Sequence, residues 1–157
     1  MTERSVIHDT FVIERIYPAS SSRVFAAFAS REAKDAWADT GDIAQAEPVT
    51  GPAAFDFRVG GHERFGIVSQ GVIYTYDAIY YDIVPGQRLV YSYEMYADGV
   101  RLSVSVATIE FVEMDDGTRL TWTEQGAYLD GFDGPDAPQL RQGGTSEMLD
   151  SLAKYLA

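Results

Sequence analysis

The segment from Gly71 to Gly126 contains three turn signals, and these constrain the fold more than any other feature of the sequence. Pro85-Gly86, Asp98-Gly99 and Asp116-Gly117 separate longer runs of strand-forming residues. Aspartate-glycine pairs are typical of type I′ hairpin turns, because both central residues of such a turn have positive φ. The sequence therefore predicts four long antiparallel strands joined by turns, at about Val72–Val84, Arg88–Tyr96, Val100–Glu113 and Thr118–Gln125.

The C-terminal segment has a different periodicity, which predicts one amphipathic helix from about Ala137 to Leu156. Its apolar residues recur at steps of three and four, the spacing of one helix face: Leu140, Met148, Leu149, Leu152, Tyr155 and Leu156. Gly143-Gly144 lies inside this pattern and costs about 1 kcal/mol per glycine relative to alanine. We expect the pair to allow close backbone contact with the sheet or a kink. A long twisted sheet can curl around such a helix and leave a cavity between them.

Shorter elements are predicted before the long strands. Phe11–Ile16 is a β-branched and aromatic run that indicates a first strand. The hydroxyls of Ser20–Ser22 are suited to capping a helix that contains the apolar run Val24–Phe28, and a second short helix carries Trp37. The sequence therefore predicts two short helices after the first strand.

The region between these helices and the long strands is less regular. Thr40–Pro52 has two glycines, two prolines and no clear periodicity, so we expect a loop with one short extended piece. Phe55, Phe57 and Val59 alternate with polar residues, which indicates a half-buried strand. After the turn at Gly60-Gly61, the strand is expected to run back over 63–68.

Length and composition indicate one packed domain, 1–157. The chain has 157 residues and 46% apolar residues, which is sufficient for a hydrophobic core. It has no apolar run long enough to span a bilayer, and its N-terminus lacks the apolar region of a signal peptide. Without cysteine there is neither a disulfide framework nor a thiolate site. We therefore expect a soluble, cytoplasmic protein.

The charge of the chain argues against nucleic acid and membrane partners. Asp and Glu number 24 against 12 Lys and Arg, which gives a net charge of −12. Phosphate backbones and anionic lipid surfaces bind proteins through Lys and Arg, so they repel such a chain. The acidity is explained by solubility, with an acidic docking face as the alternative.

Tyrosines are concentrated in the first two long strands, which contain seven of the ten. Strand alternation places Tyr91, Tyr93 and Met95 on one face, and it places Tyr74 and Tyr76 on one face of the preceding strand. Tyrosine combines a large apolar body with a hydroxyl that needs a partner when buried. The residue also decorates solvated sheet faces. We predict that at least two of these four tyrosines line a pocket for an apolar or aromatic ligand, with Met95 beside them.

Glu124 is the candidate for a polar contact inside this pocket. If Leu120 and Trp122 face the cavity, alternation places Glu124 on the same face. A buried carboxyl has a raised pKa and can anchor a polar ligand group or act as an acid or base. The alternative is a structural ion pair with an arginine such as Arg58 or Arg119.

The final helix and the two tryptophans complete the predicted site. Met148 and Leu149 are expected to face the sheet, where they would contact a ligand if the cavity is large enough. Trp37 and Trp122 are suited to closing the pocket, although core packing is the simpler explanation for both. Trp122, Met148 and Leu149 are therefore included among the ligand-binding candidates.

No motif for catalysis, a metal or a cofactor is found. His62-Glu63 begins a zinc-protease pattern, but Gly66 stands where the second histidine is needed. The sequence has no nucleophile elbow, phosphate-binding loop or dinucleotide fingerprint. We therefore predict no catalytic residue, no metal site and no cofactor.

Several short motifs together resemble the SRPBCC (START-like) superfamily, specifically its branch related to activators of the heat-shock-protein-90 ATPase. The resemblance extends from about Thr10 to Leu156. The motifs that carry it are Val24–Phe28, Trp37, Asp56–Gly61, Tyr81–Pro85 with Arg88–Val90, Thr108–Phe111, Gly117–Thr121, Glu124–Gly126 and Leu149–Leu156.

The resemblance implies the helix-grip arrangement of this superfamily. That is an α+β fold in which a curved antiparallel sheet of about seven strands surrounds a long C-terminal helix, with a hydrophobic cavity between them. Members of the superfamily range from lipid and hormone carriers to cyclases. The resemblance therefore implies architecture more directly than activity.

Three functional hypotheses follow from these observations. The first is a binding domain for a small apolar or aromatic ligand, supported by the tyrosines and the single covering helix. The second is a cyclase or hydrolase that uses Glu124, a tyrosine hydroxyl or His62 for proton transfer in the cavity. The third is a co-chaperone-like module that binds a chaperone. A homodimer formed through an exposed sheet edge is also open.

Overall fold

The computed structural model describes residues 4–38 and 44–157. The elements are β1 (Val6–Tyr17), α1 (Ser21–Ala26), α2 (Arg31–Ala38), β2 (Gln45–Ala46), β3 (Ala54–Phe55), β4 (His62–Ser69), β5 (Val72–Val84), β6 (Arg88–Ala97), β7 (Val100–Met114), β8 (Gly117–Leu129) and α3 (Ala137–Leu156). The described residues form a sheet of eight antiparallel strands with the order β1-β8-β7-β6-β5-β4-β2, in which β3 pairs with β4. The predicted α+β helix-grip fold is confirmed.

The turns between the long strands explain why their boundaries were predictable. Asp98 and Gly99 have φ of 48° and 83°, which confirms the type I′ turn between β6 and β7. The next turn differs from the prediction, because β8 already begins at Gly117 and Asp116 has no positive φ. A Cβ at Gly117 would lie 2.1 Å from the carbonyl oxygen of Tyr17. This glycine is therefore required by close contact with the end of β1, as well as by its φ of 154°.

The segment before β4 corrects a second prediction. Phe55 ends β3 after two residues, and Val59 is 58% exposed, so alternation does not continue to Val59. The backbone turns instead, because the N–H of Arg58 donates to the carbonyl of Asp56 and that of Gly61 donates to the carbonyl of Arg58. The strand count rises from about seven to eight because the two-residue strand β2 is added, while β3 takes the place of the strand predicted at Phe55–Val59. Residues 40–43 of the predicted loop lie outside the described residues.

Helix α3 has the predicted bounds but a narrower apolar face. Leu149, Leu152 and Leu156 are buried, whereas Leu140 is 65% and Tyr155 is 40% exposed. The expected close contact at Gly143-Gly144 is wrong, because a Cβ at either glycine would meet no atom within 4 Å. Within the described ranges, no helix is both long and apolar enough to cross a membrane.

Aromatic contacts join the short helices to the sheet. Ser20 caps α1, since its side chain accepts a hydrogen bond from the N–H of Arg23 as expected for an N-cap serine. The rings of Phe25 and Phe111 meet edge to face at 5.5 Å, and those of Phe28 and Trp37 do so at 5.0 Å. These contacts place α1 and α2 at one end of the space between the sheet and α3.

Candidate functional site

A cavity of about 290 Å³ lies between the concave face of the sheet and α3. Its exposed wall residues are Asp35 of α2, Gln45 of β2, and Leu140 and Gly144 of α3. The mouth of the cavity therefore lies where these three elements approach one another. The absence of a side chain at Gly144 leaves space at this mouth, since a Cβ there would contact nothing.

The floor of the cavity is aromatic because β5, β6 and β8 each direct aromatic side chains to the same face of the sheet. Tyr76 is the cross-strand partner of Met95, and the rings of Tyr76 and Tyr93 lie 5.1 Å apart. The rings of Tyr91 and Trp122 meet perpendicularly at 6.3 Å. Tyr91, Tyr93 and Trp122 are all at least nine-tenths buried. Alternation along each strand thus directs these rings toward α3.

The hydroxyl of Tyr91 has no hydrogen-bonding side chain among the described residues. Tyr91 is 5% exposed and lines the cavity. Burial raises the pKa of Tyr91 well above its ordinary value, and the neighbouring Tyr93 and Glu124 act in the same direction. The phenol is therefore neutral and is able to donate a hydrogen bond into the cavity.

Glu124 is fully buried behind the cavity wall. One carboxylate oxygen accepts a hydrogen bond from the hydroxyl of Tyr93 at 2.7 Å, and the other accepts one from Nε1 of Trp122 at 3.2 Å. Arg141 of α3 donates to the oxygen of Tyr93 at 2.9 Å and lies 3.9 Å from the Glu124 carboxylate. The predicted inward direction of Glu124 is correct. Its arginine neighbour is Arg141, and neither Arg58 nor Arg119 contacts it.

Burial has the largest effect on the Glu124 carboxyl and raises its pKa, although the hydrogen bonds from Tyr93 and Trp122 and the charge of Arg141 oppose this. A raised pKa in the folded state means that this group stabilises the fold below its ordinary pKa of 4.5, and that the contribution is lost as pH rises through the folded-state pKa.

We expect the free energy of unfolding of the wild type, relative to that of Glu124→Gln, to increase as the pH is lowered from about pH 8 to about pH 5. Urea unfolding of both proteins across this range measures the difference, and a difference that is constant or falls toward acid contradicts the assignment.

A second buried carboxylate, Glu63 of β4, lies on the opposite wall of the cavity. It is 5% exposed, accepts a hydrogen bond from Nζ of Lys34 at 2.5 Å and another from the hydroxyl of Tyr80 at 3.0 Å. The cavity thus has one ionic cluster on each side of an aromatic floor: Lys34–Glu63–Tyr80, and Arg141–Tyr93–Glu124. In the first cluster Lys34 contacts the Glu63 carboxylate directly, whereas in the second Arg141 and the Glu124 carboxylate are 3.9 Å apart.

His62 lies on the convex face of the sheet, away from the cavity. Its Nδ1 is 2.9 Å from Asp77 and 3.1 Å from Nη2 of Arg64. Burial would raise the pKa of Asp77, but the hydrogen bonds with His62 and Arg64 and the charge of Arg64 together lower it. This cluster is a partly buried ionic network outside the cavity. The described residues contain no group of three or more potential metal ligands.

Six of the nine predicted ligand-binding residues line the cavity: Tyr76, Tyr91, Tyr93, Met95, Trp122 and Met148. The other three lie outside its wall. Tyr74 lies two residues before Tyr76 on β5, where it pairs with Ala97 and Ile67. Leu149 is fully buried, and its carbonyl accepts a hydrogen bond from the hydroxyl of Tyr17 at 2.9 Å. Glu124 is separated from the cavity by Tyr93 and Trp122.

Sequence reasoning missed the charged members of the site. Glu63 alternates with Phe65 and Ile67 on β4, and this pattern was sufficient to place it on the inner face. Arg141 precedes Thr145 and Met148 by four and seven residues, so it belongs to the same helix face. No comparable pattern identified Lys34. Helix α2 has only about two turns, which is too short for its periodicity to show which face meets the cavity.

Solved structures with this fold include two close relatives. A protein from Rhizobium leguminosarum is 39% identical, with a TM-score of 0.86 and coverage of 99% of this chain and 98% of that one. The Mll3558 protein from Rhizobium loti is 44% identical, with a TM-score of 0.82 and coverage of 96% and 98%. DynU16, a protein in the dynemicin biosynthetic locus, is 18% identical, with a TM-score of 0.61 over 94% of this chain and 47% of its own. This last likeness shows the fold alone.

A family model agrees with the structural similarity. No curated protein sequence matches the chain. The model of the family described as Activator of Hsp90 ATPase homolog 1-like protein matches residues 18–157, from the end of β1 through α3. The chain therefore belongs to the Activator of Hsp90 ATPase homolog 1-like family, a branch of the SRPBCC superfamily.

Proposed function

We propose that this chain is a small-molecule-binding protein whose cavity holds one apolar or aromatic ligand. The observation that carries the proposal is an aromatic cavity whose wall includes Tyr91, a tyrosine whose hydroxyl makes no hydrogen bond among the described residues. A phenol without a protein partner is able to donate a hydrogen bond to a ligand. A ligand oxygen would accept this hydrogen bond, in the way that a few polar groups orient ligands in otherwise apolar pockets.

The size of the cavity limits the ligand. A volume of about 290 Å³ is close to the lower limit of small-molecule sites, which span about 300–1,000 Å³. The perpendicular rings of Tyr91 and Trp122 offer one face and one edge to an aromatic guest. A compact aromatic molecule of about two or three rings therefore fits the site best, and an oxygen substituent would add a hydrogen bond to Tyr91.

The geometry favours binding over the enzyme hypothesis. Glu124 has both carboxylate oxygens occupied by Tyr93 and Trp122, and His62 lies on the other face of the sheet. Neither side chain can therefore reach a molecule in the cavity directly. A chaperone partner and a homodimer formed through an exposed sheet edge stay predictions.

Both tryptophans of the chain, Trp37 and Trp122, line the cavity, so a ligand can be detected without a label. We expect N-phenyl-1-naphthylamine, a neutral probe that becomes fluorescent in apolar surroundings, to bind with a stoichiometry of one. Bound in the cavity, it would accept excitation energy from the tryptophans and quench their emission in proportion to occupancy. Probe fluorescence that rises without loss of tryptophan emission places the probe elsewhere and contradicts the proposal, as does an absence of binding.

A further inference from the structure

Arg141 is a largely buried cation, and among the described residues no carboxylate oxygen lies within hydrogen-bonding distance of it. Its side chain is 14% exposed and lines the cavity. Its Nη atoms donate to three neutral hydroxyls, those of Tyr93 at 2.9 Å, Ser105 at 3.3 Å and Ser103 at 2.8 Å. The guanidinium carbon lies over the rings of Tyr93 and Tyr128 at 5.4 and 5.3 Å. These groups hold the guanidinium in place but do not neutralise its charge.

Among the described residues Glu124 is the nearest carboxylate to Arg141, yet the geometry does not make it a close ion-pair partner. The separation of 3.9 Å exceeds hydrogen-bonding distance, and the carboxylate takes its hydrogen bonds from Tyr93 and Trp122 instead. Buried arginines are normally paired bidentately with an anion, because desolvation of the guanidinium is otherwise costly. The arrangement therefore leaves room for a second anion at Arg141.

Two other basic residues line the cavity. Lys34 contacts the carboxylate of Glu63 directly and is therefore neutralised. Arg31 has only neutral contacts among the described residues, the carbonyl of Ala54 and the ring of Phe55. Arg141 differs from Arg31 because it is hydrogen-bonded to Tyr93 of the aromatic floor, so an anionic group on a bound aromatic ring would lie beside it.

We propose that the ligand carries an anionic group, that this group binds Arg141 beside the hydroxyl of Tyr93, and that Glu124 takes up one proton from solvent when it binds. This inference rests on the proposed function, since it concerns the chemical class of ligand that the same cavity accepts. The recognised chemistry is a compact aromatic anion, such as an aromatic carboxylate or sulfonate.

The proton balance follows from the hydrogen bonds. With Glu124 ionised, the Tyr93 proton points to the carboxylate, and a second anion at Arg141 would be repelled. Once protonated, Glu124 donates to the oxygen of Tyr93, and the Tyr93 proton is free to donate to the ligand anion. The total charge of Arg141, Glu124 and ligand is then zero.

The ionisable groups around Glu124 are consistent with this exchange. Tyr91 and Tyr93 face it from β6, Arg141 from α3 and Tyr128 from further along β8. Its cross-strand partners, Phe11 of β1 and Ala107 of β7, carry no charge. Since the pKa values of these three tyrosines are raised, Glu124 is the group in this cluster that can accept the proton.

A pair of isosteric probes tests the proposal by isothermal titration calorimetry on the intact chain. Naphthalene-2-sulfonate is ionised at every accessible pH, and naphthalene-2-sulfonamide is its neutral analogue. We expect the sulfonate to bind more tightly than the sulfonamide by about tenfold or more near neutral pH. Titrations in buffers of different ionisation enthalpy should show that the protein takes up one proton when it binds the sulfonate and none when it binds the sulfonamide. Above the pKa of Glu124, the affinity for the sulfonate should fall about tenfold per pH unit.

Two variants separate the anion site from the proton site. Arg141→Gln should remove the preference for the sulfonate, and Glu124→Gln should keep the preference but abolish the proton uptake. Glu124→Gln retains a side chain of the same shape, so the test stands even if Arg141→Gln does not fold. Equal affinity of the two probes, or proton uptake that persists in Glu124→Gln, overturns the inference while the proposed function stands. Failure of both probes and of N-phenyl-1-naphthylamine overturns the proposed function as well.

Discussion

The variant Gly144→Leu is expected to bind N-phenyl-1-naphthylamine more weakly than the wild type by about tenfold or more. Gly144 lies at the mouth of the cavity, and a Cβ added there meets no atom within 4 Å. A long side chain on a helix points back over the preceding turn, which at this position contains Leu140 and Arg141. The leucine would therefore cover the mouth and occupy part of the volume that the probe needs.

Gly143→Leu is the matched control for this experiment. Gly143 also has free space around its Cβ but does not belong to the cavity wall. Both substitutions replace a helical glycine, so each should raise the free energy of unfolding by about 0.8 kcal/mol. Probe affinity separates them, since only Gly144→Leu obstructs the cavity. Wild-type affinity in both variants would show that the probe binds somewhere else, and an equal loss in both would show that Gly144→Leu does not act by obstructing the cavity.

The two glycines also illustrate how far the sequence could predict the site. Periodicity alone predicted α3 with its observed bounds, because the apolar residues at steps of three and four continue on both sides of Gly143-Gly144. It did not predict why glycine occurs there. A missing side chain has the same appearance in the sequence whether the backbone is crowded or faces open space. The structure shows open space at both positions, and a cavity beside one of them.

Strand alternation was similarly reliable for the direction of side chains but not for their position along the cavity. Tyr74 and Tyr76 share a face of β5, yet only Tyr76 lies beside the cavity, because two residues of a strand span about 6.6 Å. Met148 and Leu149 are adjacent but separated by about 100° around α3. Met148 therefore lines the cavity, while Leu149 packs in the core. Whether a side chain on the inner face reaches the cavity depends on where the sheet and α3 move apart. That separation is set by tertiary packing and not by the local sequence pattern.

Ionic partners were the least predictable part of the site. Glu124 and Arg141 are 17 residues apart and Lys34 and Glu63 are 29 apart, and in each case the two partners lie on different elements. Charge counts do not identify such pairs, since most charged residues of the chain are solvated. Only the packing of α2 and α3 against the sheet brings Lys34 and Arg141 to the cavity wall and close to these two carboxylates.

The Lys34–Glu63 pair leads to the second large effect, on stability. Lys34→Met is expected to lower the free energy of unfolding by about 3–5 kcal/mol, the usual cost of removing one partner of a buried ion pair. Glu63 is 5% exposed and would retain only the hydroxyl of Tyr80 as a hydrogen-bond donor among the contacts described. Methionine preserves most of the apolar stem of lysine, so lost packing contributes little.

A double-mutant cycle distinguishes an unpaired charge from a general packing defect. In the Glu63→Gln background, Lys34→Met no longer leaves a buried carboxylate without a cation, and a neutral amide still accepts the Tyr80 hydrogen bond. The double variant Lys34→Met/Glu63→Gln should therefore be more stable than Lys34→Met alone, with a coupling free energy of about 1–3 kcal/mol. Urea unfolding of the four proteins at neutral pH measures this coupling. Additive losses would mean that the two charges contribute independently, and that the direct contact between Lys34 and Glu63 does not stabilise the wall of the cavity.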